Sequence, residues 1–118
     1  MLPVVLLADD DDAFLYLVGY SFEKSALKAS LQCVGDGEEI IEYLSRKGKF
    51  ADETSFPLPS LVVVDLKMRW LTGFDVLQWR LQHPEFQKVP FIVLTSSDLE
   101  QDKERAEELG RFPILSSR

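Results

Sequence analysis

A single cysteine among 118 residues leaves Cys33 no partner inside the chain, so no internal disulfide holds this fold. Cys33 lies in an apolar stretch and is expected to be a small core side chain in a reducing compartment. Long hydrophobic runs are lacking too: none approaches the roughly 18 residues of a membrane span. Residues 1–8 have neither the basic start nor the cleavage region of a secretory signal, so a cytoplasmic protein away from the membrane is expected. Positive charge is the scarce sign, with 13 Lys and Arg against 20 Asp and Glu and a formal net charge of −7. No basic cluster is available to displace counterions from a phosphate backbone, which argues against nucleic acid as a partner. Internal repeats and low-complexity segments are absent from the sequence as well.

What is present is a chain 46% hydrophobic and 28% charged. At this length that suffices for one domain, residues 1–118, around one core. Strand-like apolar runs alternate with helix-like periodic segments, the pattern of an α/β fold in which helices cover both faces of a parallel sheet. Val4 to Ala8 reads as a buried strand. From Asp12 to about Lys28, Phe14, Leu17, Val18 and Ser21 recur at helical spacing. Leu31 to Val34 is a second strand, and Ile40, Ile41 and Leu44 stripe a second helix ending near Gly48. Lys49 to Ser60, with Pro57 and Pro59, reads as a surface loop. Leu61 to Val64 is the clearest strand. Gly73 opens a third helix, with Val76, Leu77 and Leu81 on one face and His83-Pro84 closing it, and the histidine there is expected to be solvated. Phe91 to Leu94 is a fourth strand, Asp98 caps a helix carrying Ala106 and Leu109, and Phe112 to Leu115 is a fifth strand.

In an open parallel sheet, ligands bind at the carboxyl ends of the strands. Here the first strand ends in Asp9-Asp10-Asp11-Asp12, the third in Asp65 and the fourth in Thr95-Ser96-Ser97. Helix capping at the first turn accounts for Asp11 and Asp12 but not for Asp9, Asp10 and Asp65. Carboxylates gathered at one edge repel one another unless a hard cation sits among them. Magnesium suits a site of one or two carboxylates, water and phosphate oxygens.

These residues resemble the receiver domains of two-component response regulators over almost the whole chain. The resemblance rests on Asp9-Asp10 after the first strand, Asp65 after Leu61–Val64, Leu66-Lys67-Met68 with Gly73 beyond, and Leu94-Thr95-Ser96. It implies a flavodoxin-like three-layer fold with five parallel strands in the order 2-1-3-4-5. Asp65 is then the acceptor of a phosphoryl group from a sensor histidine kinase. Asp9, Asp10 and Asp65, with the backbone carbonyl of Lys67, would hold magnesium, and the Thr95 hydroxyl would sense the phosphoryl oxygens. The protein would signal to a downstream protein target and not act as an enzyme. The loop before Ser60 and the run His83-Pro84-Glu85-Phe86 look most like stand-alone receivers paired with phytochrome-type kinases.

The sequence departs from the family pattern in three places. Arg69 replaces the usual proline, Ser117 stands where the family has a lysine, and the aromatic position of the last strand falls at Ile114. The ending, residues 111–118, is thus atypical, and the family's last helix has no counterpart. One face of the sheet is therefore expected to be bare, favouring self-association as a homo-oligomer or dependence on a partner. The rival reading is a degenerate receiver that binds a protein partner independently of phosphorylation. An aspartate-based phosphohydrolase fits less well, because Lys67 occupies the second Asp of its Asp-x-Asp pattern. A dinucleotide-binding fold lacks the required glycine-rich turn after the first strand.

Overall fold

The computed structural model describes residues 2–68, 70–95, 100–110 and 112–116. Nine principal elements alternate along it: β1 (Val4–Ala8), α1 (Asp12–Lys24), β2 (Ser30–Val34), α2 (Gly37–Ser45), β3 (Leu61–Asp65), α3 (Gly73–Leu81), β4 (Phe91–Thr95), α4 (Glu100–Glu108) and β5 (Ile114–Ser116). All strand pairings are parallel and the order is 2-1-3-4-5, as expected. Ser96, Ser97 and the proposed Asp98 cap, together with Arg69, Ser117 and Arg118, lie outside the described residues. No helix among the described residues is long and apolar enough to cross a membrane.

Side chains alternate along each strand, so the two faces of the sheet are read off directly. Leu6, Ala8, Val62, Val64, Phe91 and Val93 form the buried side, joined by Ile40, Tyr43 and Leu44 of α2, Phe74, Val76 and Leu77 of α3, and Ala106 of α4. On the opposite side Val5, Leu7, Val63 and Leu94 face Phe14, Val18 and Phe22 of α1 across a groove lined only by apolar atoms. The inward stripe of α1 is thus Phe14, Val18 and Phe22, whereas Leu17, expected there, is 61% exposed. No residue of α1 is fully buried.

Several boundaries differ from expectation for identifiable reasons. α1 stops at Lys24 because the Ser25 hydroxyl and N–H both donate to the Phe22 carbonyl, ending the helix before Lys28. Arg46, in the left-handed region at φ 57°, closes α2 before Gly48. Cys33 is exposed rather than core, since β2 is an edge strand and Cys33 shares the thinly covered α1 side with Leu31. Leu81 is also exposed, and Phe74 takes the inward place at the start of α3. The loop after α2 is better packed than its composition suggests. It forms a short 3-10 turn at Gly48–Phe50, buries Phe50 against Tyr43 and Phe56, and receives a 2.8 Å hydrogen bond from the Tyr43 hydroxyl at the Pro57 carbonyl. His83 is not freely solvated. Its ring stacks on Trp79 at 4.3 Å and Nδ1 donates to the Trp79 carbonyl at 2.7 Å.

The start of α3 is the tightest point in the fold. Thr72 and Asp75 form a reciprocal capping box, Thr72 Oγ1 accepting from the Asp75 N–H and the Asp75 carboxylate accepting from the Thr72 N–H. Between them Gly73 presses on β3: a Cβ there would lie 2.3 Å from the Asp65 carbonyl oxygen and 2.7 Å from Leu66 Cα. Backbone can give way little at such a contact. Gly73→Ala should lower unfolding stability in urea by about 1–3 kcal/mol through overpacking. Gly19, inside α1 with nothing within 4 Å of its added Cβ, is the matched control. Gly19→Ala should raise stability by about 0.5–1 kcal/mol.

Candidate functional site

β1 and β3 are neighbours, with Ala8 registered to Val64. The next residue on each chain, Asp9 and Asp65, therefore leaves adjacent strands about 4.8 Å apart. Together with Asp10 they bring three carboxylates into one place, each offering an oxygen within 4.8 Å of the others. Asp9 is buried, and Asp10 and Asp65 are half-buried.

The turn after β1 is held by its own aspartates. The Asp9 N–H donates to the Val34 carbonyl at 3.2 Å, and the Asp9 carboxylate accepts the Asp11 N–H at 2.9 Å. Asp11 in turn caps α1, accepting from the Ala13 and Phe14 N–H groups at 3.0 and 3.2 Å. Asp12 lies in the first turn and contributes its charge to the helix dipole, so the capping expected of both residues belongs to Asp11 alone.

Asp65 is the most perturbed acid. Burial pushes its carboxyl up to about 6, the Lys67 N–H that donates to it at 3.2 Å works against the rise, and the charges of Asp9 and Asp10 add to it. Asp9 is also raised, first by burial and then by the charges of Asp10 and Asp11, against the opposing Asp11 N–H. The two carboxyls lie close enough to couple, so the acids of this pair ionise with reference to each other. A cluster of this kind, all oxygen donors and partly withdrawn from water, fits a hard divalent cation.

Thr95 is reached through register. Asp65 pairs with Leu94, and the Leu66 N–H donates to the Leu94 carbonyl at 3.1 Å. Thr95, 2% exposed, thus stands one residue beyond the level of Asp65 on the adjoining strand. Lys67 touches Asp65 through its amide. Its ammonium group goes elsewhere, pairing with the Asp102 carboxylate of α4 at 3.3 and 3.5 Å and lying 5.7 Å from the centre of the Phe74 ring. Asp102 and Phe74 were not anticipated as neighbours of the site. The pair spans 35 residues and leaves no periodic signal in the sequence. Trp70, in the same loop, is 84% exposed and adopts φ 64°.

Comparison with known proteins gives this arrangement its family. The model of the response regulator receiver domain matches residues 5–116. Response regulator Rcp1 of Synechocystis sp. is 30% identical over 99 residues, 84% of this chain and 65% of that protein. The probable methanogenesis regulatory protein FilR2 of Methanothrix harundinacea is 26% identical over 103 residues, 87% of this chain and 64% of that one. The chain thus spans just under two thirds of the length of these curated relatives. Among solved structures, the Mn(2+)-bound form of Rcp1 superposes with a TM-score of 0.86 at 28% identity, covering 98% of this chain and 81% of that one. Response regulator RPA3017, from red light signaling of R. palustris, superposes at 0.87 with 30% identity, covering 97% and 80%. With its sheet in the order 2-1-3-4-5 and its carboxylates at the ends of β1 and β3, this chain belongs to the response regulator receiver domain family.

Proposed function

We propose that the chain is a phosphoaccepting receiver in which Asp65 is the acceptor and magnesium is held by Asp9, Asp10, Asp65 and the Lys67 carbonyl. The observation that carries this reading is the carboxylate triplet at adjoining strand ends, with Asp65 raised to about 6. The existence of a Mn(2+)-bound form of the relative Rcp1 supports a divalent ion as the ligand. Magnesium is chosen because the donors are hard oxygens and the transferred group is a phosphoryl.

Phosphoryl transfer depends chiefly on alignment and charge neutralisation. An Asp65 carboxylate oxygen forms a bond to phosphorus as the phosphorus–nitrogen bond to the kinase histidine breaks, and the electron pair remains on the imidazole. The metal, when bound, supplies positive charge to the phosphoryl oxygens. Asp9 and Asp10 orient that charge beside Asp65. The Thr95 hydroxyl donates a hydrogen bond to a phosphoryl oxygen and draws its loop inward, changing the surface presented to a downstream protein. Similar solved structures named as bacteriophytochrome response regulators favour a phytochrome-type sensor histidine kinase as the donor. The net charge of −7 argues against nucleic acid as a partner, and the reading places the protein in the cytoplasm away from the membrane. Ser117, at the place of the family's lysine, favours the second reading, a receiver that binds its partner without phosphate.

Intact-mass measurement with a small phosphodonor and magnesium should show one added phosphoryl group on the wild-type chain and none on Asp65→Asn. A wild-type chain that stays unmodified selects the second reading. In a Trp79→Phe background, millimolar magnesium should alter the fluorescence of Trp70, and Asp10→Ala should shift that titration to higher concentration.

The proton on Asp65 gives a separate test. Because its folded pKa is raised, the folded state holds a proton that the unfolded state releases between the ordinary carboxylate range and about 6. Without metal, stability relative to Asp65→Asn should therefore fall as pH rises through that window. Magnesium, binding the ionised form, should flatten the dependence. Paired urea titrations at pH 4.5 and 7, with and without the ion, measure both effects.

A further inference from the structure

We infer that the Lys67 ammonium group is an exchangeable clasp. It ties α4 to the phosphoacceptor loop through Asp102 before phosphorylation and transfers to the phosphoryl oxygens afterwards, releasing α4. The inference rests on the reading of Asp65 as acceptor.

The attachment of α4 is unusual. Its sequence, Glu100 to Glu108, is charged or polar at every position but one, and Ala106 is its sole buried residue. Apolar burial of one methyl group holds a helix weakly. The described polar contacts of α4 with the neighbouring loop and α3 come from its first two turns. Asp102, with only 13% of its side chain exposed, takes the Lys67 ammonium at 3.3 Å. Arg105 lies 4.2 Å from the centre of the buried Phe74 ring, on which Lys67 also rests at 5.7 Å. One ring at the start of α3 thus carries two cations, one from the acceptor loop and one from α4.

Lys67 is placed to change partner. Its amide already donates to the Asp65 carboxylate, so its flexible four-carbon stem begins two residues from the acceptor, and its side chain is 54% exposed. When the Asp65 oxygen–phosphorus bond replaces the donor's bond to phosphorus, a monoanionic or neutral carboxyl becomes a group of about two negative charges. That group competes with the single charge of Asp102 for the same ammonium. Loss of the Lys67 contact removes one of the ties that hold α4 beside the buried Ala106, and its opening becomes easier.

Two substitutions that break the same ion pair separate this role from a merely structural one. Asp102→Asn frees Lys67, and Lys67→Met removes it. Both should raise amide hydrogen exchange across α4 in the unmodified protein by about two- to five-fold, the size of an exposed or partly exposed ion pair. The double variant should not exceed Asp102→Asn. Their effects on modification by acetyl phosphate, followed by intact mass, should be opposite: faster in Asp102→Asn and slower in Lys67→Met. Wild-type protein bearing the phosphoryl group should show α4 exchange matching that of unmodified Lys67→Met. Unchanged α4 exchange in both unmodified variants overturns the clasp, and equal modification rates, or unaltered α4 exchange in fully phosphorylated wild type, overturn the transfer. A wild-type chain that takes no phosphoryl group instead overturns the reading of Asp65, and the transfer with it, while the variants in unmodified protein still decide whether the clasp exists.

Discussion

Crowding of negative charge at the carboxyl edge of the sheet is the constraint around which the rest is arranged. Parallel register puts Asp9 and Asp65 at the same level on adjoining strands, and Asp10 joins them within 4.8 Å. Nothing in strand packing requires three acids there, and burial makes Asp9 and Asp65 harder to ionise. The surrounding backbone spends its polar groups on holding them in place. The Asp11 amide fixes Asp9, the Lys67 amide fixes Asp65, and the Gly73 contact seats α3 directly behind the Asp65 carbonyl. A site pre-formed in this way needs little rearrangement to take a cation.

Rigidity and looseness are distributed unevenly around that site. β1, β3 and β4 with α2 and α3 supply most of the buried apolar side chains, and the Arg80 guanidinium fastens the far end of α3 between Phe91 and Phe112 at 5.0 and 5.1 Å. α4 contributes Ala106 alone. An element with so little buried surface opens more readily than the core it borders, and elements that move in signalling are drawn from that end of the stability range. Asp65 therefore stands between a fixed sheet and a helix held largely by charge, where a change of local charge acts on the helix first.

The two faces of the sheet differ in the same sense. Three helices close one face, while α1 lies over the other beside an open apolar groove along Val5, Leu7, Val63 and Leu94. This difference explains why Cys33 and Leu17, both apolar by sequence, end exposed. Hydrophobic character states what a residue would gain by burial but not whether another element arrives to bury it.

The amino-acid sequence by itself determined the element order, the parallel sheet and the acidic strand ends, because strand and helix periodicities are local and each Asp follows its own apolar run. It also specified Gly73 as a breakpoint, though not why glycine is needed there, since the clash is with the backbone of Asp65. Only tertiary structure decided that burial raises the Asp65 carboxyl, that Asp11 rather than Asp12 is the cap, and that Lys67 reaches Asp102 across 35 residues. Each of these depends on desolvation, hydrogen-bond angle or the approach of separate segments. Such quantities exist only once the chain has folded and brought the groups within a few ångströms of one another.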